Sequence, residues 1–139
     1  MNRMLRLHTR GQGLLEITAD VRRLVRDGLA EGAPPDGLVT LFVRHTSASL
    51  VVQENADPSA RRDLEAFLAR LVPEGDPLFT HTAEGPDDMP AHVRSVLTAT
   101  QLSIPLLEGE LALGTWQGIW LWEHRRRGSR REVVVHLGG

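Results

Sequence analysis

Apolar and polar positions alternate over Met4 to His8 and again over Leu14 to Thr18, the period of a strand with one buried face. Between them Arg10-Gly-Gln-Gly13 is turn-forming, so the two segments read as a β-hairpin. The period then changes. Val21, Leu24, Val25 and Leu29 recur at helical spacing and predict a first helix, with Asp20 as its N-cap and Gly32, Pro34 and Pro35 closing it. Val39 to His45 and Ala48 to Gln53 are rich in β-branched and large apolar residues and predict two central strands joined at Thr46-Ser47. In the second helix Asp57 caps, Pro58 takes the first helical position, and Leu64, Phe67, Leu68 and Leu71 form one stripe before Pro73 to Pro77 stop it.

After a polar stretch, Asp88 can cap a shorter helix that Pro90 opens, with His92 in its first turn and Val93, Val96 and Leu97 following. Its first N–H groups would favour an anion beside them. The last third reads as strands over Leu102 to Leu107, Glu110 to Leu113, Thr115 to His124 and Glu132 to Leu137, separated by Gly109, Gly114 and Gly128. Along Gln117 to His124, one face carries Ile119 and Leu121 and the other Trp120 and Trp122, so both faces require cover, from helices and sheet or from another subunit. No repeat or linker interrupts the pattern. The expectation is a single α+β domain over residues 1–139, a largely antiparallel sheet backed by about three helices.

Composition narrows the classes. At 139 residues and 41% apolar the chain can bury one core. No apolar run approaches the ~20 residues of a membrane span, the N-terminus lacks a signal-peptide core, and there is no cysteine for disulfides or thiolate ligands. A cytoplasmic protein without a membrane partner is expected. Net charge is −2, which gives no global reason to bind nucleic acid. All 16 basic residues are arginine, however, and Arg125, Arg126, Arg127, Arg130 and Arg131 crowd into seven positions. Such a cluster is either a solvated hairpin tip or a set of bidentate donors for phosphate.

The densest chemistry lies in His81-Thr-Ala-Glu-Gly-Pro-Asp-Asp-Met-Pro-Ala-His92, two imidazoles and three carboxylates among turn-forming residues. Gly85, Pro86 and Pro90 allow His81, Asp87, Asp88 and His92 to converge, with Asp88 orienting one nitrogen of His92 and leaving the other free. Other candidates have plain structural readings. His45 ends an apolar strand and on its own reads as a core-edge histidine. Ser47 and Ser49 lack a Gly-x-Ser-x-Gly elbow and suit turn hydrogen bonds or substrate contact. Asp57 and Asp63 are explained by capping and the helix dipole, and Trp120 and Trp122 by packing.

Taken together, His45-Thr-Ser-Ala-Ser-Leu50, Glu54-Asn-Ala-Asp-Pro58, Asp63-Leu64, Asp87-Asp-Met-Pro-Ala-His92, and Leu113-Gly-Thr-Trp-Gln-Gly118 followed by Glu123-His124 resemble the YjbQ-like family, also called the secondary thiamine-phosphate synthases. The motifs fall in order through nearly the whole chain. The resemblance implies a homotrimer of α+β subunits with a site near a subunit boundary and often a bound metal or anion. It also implies a transferase activity in which a thiazole phosphate nitrogen attacks the methylene of hydroxymethylpyrimidine diphosphate and pyrophosphate leaves.

Under that resemblance His45, His92 and Asp88 are the catalytic candidates, and His45, His81, His92 and Asp88 the ligands of a divalent ion, zinc or magnesium. Ser47, Asn55, Trp116, Gln117 and Arg130 are the substrate contacts, with Trp116 as stacking face and Gln117 as amide for a pyrimidine edge. Arg94, Arg125 to Arg127, Arg130 or Arg131 could meet the phosphate oxygens. A tension remains between diphosphate chemistry, which favours magnesium and oxygen ligands, and a histidine-rich set that suits zinc. Two alternatives therefore stand beside the synthase: a metal-dependent hydrolase of a small phosphorylated or amide substrate, with Asp88 or Glu123 handling the proton, and a non-enzymatic module that binds a metal or metabolite.

Overall fold

Eight strands form two antiparallel sheets, where the sequence pattern predicted one. The computed structural model describes residues 1–139. The order is β1 (Asn2–His8), β2 (Gly13–Glu16), α1 (Thr18–Ala30), β3 (Gly37–Val43), β4 (Ala48–Glu54), α2 (Pro58–Leu71), α3 (Asp88–Leu97), β5 (Gln101–Leu107), β6 (Glu110–Leu111), β7 (Gln117–Glu123) and β8 (Arg130–Gly138). The first sheet runs β1-β8-β3-β5-β6 and the second β2-β7-β4. This is a single-domain α+β architecture with three helices, and no helix is long and apolar enough to cross a membrane.

The expected hairpin of β1 and β2 does not form. β1 pairs with β8 and β2 with β7, so the loop after His8 carries the chain from one sheet to the other. Alternation reports that one face of each segment is buried; it does not name the partner strand. β3 and β4 separate in the same way: β3 lies inside the five-stranded sheet, while β4 is an edge of the other, joined beyond its edge only by a bridge from Leu50 to Ala99.

The facing sides of the two sheets make the main core, where Val39, Leu41, Val43, Val133 and Val135 meet Leu50, Ile119 and Leu121, with Val21 and Val25 of α1 packed among them. The opposite side of the three-stranded sheet carries Trp120 and Trp122 against Leu14, Leu68 and Val72, with Leu64 and Val93 alongside. Helices α2 and α3 thus cover β7 from outside, and the chain itself satisfies both apolar faces of that strand. The stripe on α2 is narrower than expected, since Phe67 and Leu71 are exposed.

Helix starts differ in ways that matter locally. Asp57 caps α2 as expected, accepting the Ser59 N–H at 2.9 Å. Helix α1 begins at Thr18, before Asp20, because the buried Thr18 hydroxyl accepts the Ile119 N–H at 2.8 Å and ties the helix start to β7. In α3, Asp87 rather than Asp88 is the N-cap residue, so Asp88 already belongs to the helix.

Candidate functional site

Placing Asp88 inside α3 sets it one helical turn before His92, and residues four apart share a helix face. The two side chains meet, with His92 Nε2 3.2 Å from Asp88 Oδ2. His81, on the loop before the helix, brings its Nε2 to 3.0 Å from the same oxygen. The other oxygen, Oδ1, accepts from Arg125 Nη1 at 2.8 Å. The two imidazole nitrogens and the carboxylate oxygen all lie within 4.8 Å of one another, with Asp88 buried, His92 half-buried and His81 exposed.

Asp87 does not use its carboxylate to cap α3. Arg125 Nε donates to Oδ2 at 2.9 Å and the Arg126 backbone N–H donates to the same atom at 3.0 Å. The Arg125 contact, chiefly, and the Arg126 N–H hold the Asp87 carboxyl at about 2 despite burial, and the same pairing raises the Arg125 guanidinium. One arginine at the end of β7 therefore fixes both aspartates at the start of α3. Its remaining Nη2 donates to the Glu84 carbonyl at 3.0 Å, fastening the loop as well.

Hydrogen bonding also decides how His92 faces the cluster. Its Nδ1 is 3.1 Å from the Thr46 carbonyl, which only accepts, so Nδ1 carries the proton. A neutral His92 then points the Nε2 lone pair at a carboxylate oxygen. Two acceptors at that separation repel unless a proton or a cation lies between them. A backbone carbonyl orienting the far nitrogen is also the usual support of a metal-ligating histidine.

His45 does not join this triad. Its Nε2 accepts the Glu132 N–H at 2.8 Å, which leaves Nδ1 as a neutral donor, and burial together with Arg131 lowers its pKa. His45 and His92 instead line one open groove of about 500 Å³, with Phe42, Thr46, Ser95 and Val96 among its walls. Ser47, in the same β3–β4 link, does not line that groove, and its Oγ accepts from Arg131 Nη2 at 2.9 Å.

Asn55, Trp116 and Gln117 are separated from the cluster. Glu54 pairs with Gln117 at one end of β4 and β7, and Ala48 pairs with Glu123 at the other, six residues along. At ~3.3 Å per residue that is about 20 Å. There Asn55 donates to Glu16 at 3.0 Å, Gln117 accepts the Gly114 N–H at 2.7 Å, and Trp116 is 65% exposed. Arg130 is exposed and faces away from its buried neighbour Arg131. Within one chain, the expected pyrimidine slot and the expected metal ligands are thus at opposite ends of a sheet.

Several polar residues turn out to be internal struts. Glu123 is fully buried, its oxygens taken by Arg131, by Thr9 at 2.6 Å and by the Arg125 N–H at 3.1 Å. Burial works to raise its pKa, yet Arg131 and the other donors bring it below the usual value, so it is unsuited to handling a proton. Arg94, another phosphate candidate, is buried and donates to the Val72 carbonyl at 2.7 Å and the His124 carbonyl at 3.3 Å. His124 itself has no exposure, and its Nε2 meets Ser49 Oγ at 2.8 Å while Nδ1 has no partner.

A family model described as UPF0047 protein YjbQ-like matches residues 3–139. The chain belongs to the YjbQ/UPF0047 family. It is 49% identical over 136 residues to a UPF0047 protein of Synechocystis, covering 98% of this chain and 90% of that protein. It is 47% identical over 103 residues to the UPF0047 protein YjbQ of Escherichia coli O157:H7, covering 74% of each. Among solved structures, a conserved hypothetical protein from Thermus thermophilus superposes with a TM-score of 0.83 at 37% identity, over 97% of this chain and 98% of that one. A hypothetical protein from Aeropyrum pernix gives a TM-score of 0.86 at 28% identity, over 100% and 99%. The YjbQ/UPF0047 membership thus extends over nearly the whole chain, as the ordered motifs implied.

The His124 environment has a measurable consequence. Burial first, and the Arg94 charge second, depress its pKa to about 4 from the ordinary 6.5. Protonation would add a second N–H with no acceptor. Because the unfolded chain binds this proton first, the stabilisation is complete above pH ~6.5 and declines as pH falls toward 4, by about 3 kcal/mol in all. Urea denaturation at stepped pH should show that decline in the wild type and a shallower one in His124→Gln. Parallel profiles would contradict the assignment.

Proposed function

We propose that this YjbQ/UPF0047 protein is an enzyme that acts on a small phosphorylated metabolite with a divalent ion held by His81, Asp88 and His92. The observation that carries the reading is the convergence of His81 Nε2, Asp88 Oδ2 and His92 Nε2, with Arg125 and the Thr46 carbonyl fixing the outer atoms of Asp88 and His92. Two imidazoles and one carboxylate fit zinc or a similar transition ion better than magnesium, which prefers oxygen. A bound ion would supply positive charge to oxygens that become negative as the reaction proceeds. His45 is assigned to the substrate rather than to the ion, as a neutral Nδ1–H donor in the groove it shares with His92.

The specific reaction proposed is thiamine phosphate formation. A nitrogen–carbon bond forms between the thiazole phosphate and the pyrimidine methylene, the carbon–oxygen bond breaks, and pyrophosphate leaves with the electron pair. That reaction needs no protein nucleophile, which suits a chain whose Ser49 is buried against His124 and whose Ser47 faces the cation of Arg131 and not a base. Its demands are orientation and charge neutralisation. The second reading, metal-dependent hydrolysis, is favoured by the nitrogen-rich, three-residue ligand set, which resembles catalytic zinc sites that keep one position for water. Glu123 is unavailable for its proton and His45 offers only a protonated nitrogen, which leaves Asp88 to serve.

A homotrimer belongs to this proposal. It is supported by the exposed Phe42 and Val96 on the groove beside His92, and by the distance from the triad to Trp116 and Gln117, which a neighbouring copy would shorten. Light scattering on a sizing column should report three chains per particle; a stable monomer would remove this part. For the site itself, His92→Ala should lose nearly all bound zinc, keep its melting temperature within a few degrees, and lose thiamine phosphate formation by at least ~100-fold. Pyrophosphate release without coupled product would favour the hydrolase. Unchanged metal content and turnover would refute the site.

A further inference from the structure

A second pocket is lined by Arg125 and by neither His81 nor His92. It has a volume of about 230 Å³ and is lined by Ser47, Arg125, Arg127, Gly128, Ser129 and Arg131. No acidic and no apolar side chain takes part, and every lining residue but the glycine presents a donor. The carboxylates that neutralise Arg125 and Arg131, which are Asp87, Asp88 and Glu123, are outside the lining.

The donors are not all spent. Arg131 is buried, and its Nε and Nη2 bond Glu123 and Ser47, but Nη1 has no partner and is not sealed from solvent. Ser47 Oγ accepts from Arg131 and so keeps its own hydroxyl proton to donate. The exposed Arg127 forms no ion pair, and the Ser129 hydroxyl makes no bond within the chain. The turn that carries them is tied to Thr9, whose N–H donates to the Ser129 carbonyl at 2.9 Å and whose hydroxyl accepts the Ser129 N–H at 3.0 Å.

We infer that this pocket is a phosphate subsite, built to hold a phosphate or diphosphate group of the substrate. Guanidiniums approaching from separate points of the chain match the outward oxygens of a phosphate, whereas a planar carboxylate is satisfied by one bidentate arginine. The pocket volume corresponds to about eight waters at ~30 Å³ each, enough for such a group with part of its hydration. Arg125 lines it while also bonding Asp88, so an anion here sits one guanidinium away from the His81–Asp88–His92 cluster. The anion-holding arginines are then Arg127 and Arg131, and the exposed Arg130 is not among them.

The identity of the substrate rests on the proposed function, but the pocket can be tested without metal or turnover. Inorganic pyrophosphate and inorganic phosphate would be titrated calorimetrically into the full chain after chelation, for wild type, Arg127→Ala, Ser47→Ala and His92→Ala. The expected results are one site per chain, at least tenfold weaker binding in Arg127→Ala, several-fold weaker binding in Ser47→Ala, and wild-type affinity in His92→Ala. Because Arg127 is exposed and unpaired, its removal leaves the fold intact. No binding by wild type, or wild-type affinity in both Arg127→Ala and Ser47→Ala, would overturn the inference. Loss of binding in His92→Ala with retention in Arg127→Ala would place the anion at the histidines and overturn it as well. A proven pocket in a protein without synthase activity would leave the subsite standing and the named reaction refuted.

Discussion

The geometry of the candidate site depends on one guanidinium. Asp87 and Asp88 are adjacent, largely buried carboxylates, and two such groups side by side would normally force one to take up a proton. Arg125 lies against both, at 2.9 Å and 2.8 Å, and keeps the Asp87 charge in place. By occupying Asp88 Oδ1 it also turns Oδ2 toward the two histidines. Since Arg125 lies two residues past the end of β7 and the aspartates open α3, the same contact couples the sheet to the helix.

Behind that contact stands a second charged layer. Glu123 and Arg131 form a buried pair with Thr9 and Ser47, and Arg94 ties the end of α2 to the end of β7 through two carbonyls. Buried ion pairs are weak sources of net stability, because desolvation offsets most of the attraction. Their effect here is positional. They set where β7 ends, where β8 begins and how the arginine-rich turn between them is presented. The alternation of β8 places Arg131 in phase with the buried Val133, Val135 and Leu137, and leaves Arg130 on the outer face.

That phase was readable in the sequence and explains which arginine is internal, although the substrate role had been expected of Arg130. Much else was legible for local reasons. His81, Asp88 and His92 fall within twelve positions, their turns are marked by glycine and proline, and the four-residue spacing of Asp88 and His92 is itself a contact. The cap of α2, the short third helix and the two apolar faces of β7 follow from equally local signals. Strand partners did not, because period-two alternation specifies a buried face and not a neighbour, so the division into two sheets was hidden. Arg94 reaches the Val72 and His124 carbonyls across 22 and 30 positions, Arg125 reaches Asp87 across 38 and Glu123 meets Thr9 across 114, and no spacing rule encodes such contacts.

Family membership explains the fold and the order of the motifs; the proposed chemistry rests on the arrangement of atoms around Asp88. His92 Nε2 and Asp88 Oδ2 face each other at 3.2 Å, a separation that calls for a proton or a cation between them, and His81 offers a third ligand atom from the solvent side. The most direct test is X-ray absorption at the zinc edge on the zinc-loaded protein. The account predicts one ion per chain with two imidazole nitrogens and carboxylate oxygen in its first coordination sphere, the imidazole count falling to one in His81→Ala. A spectrum with oxygen scatterers alone, or one unchanged in His81→Ala, would contradict it.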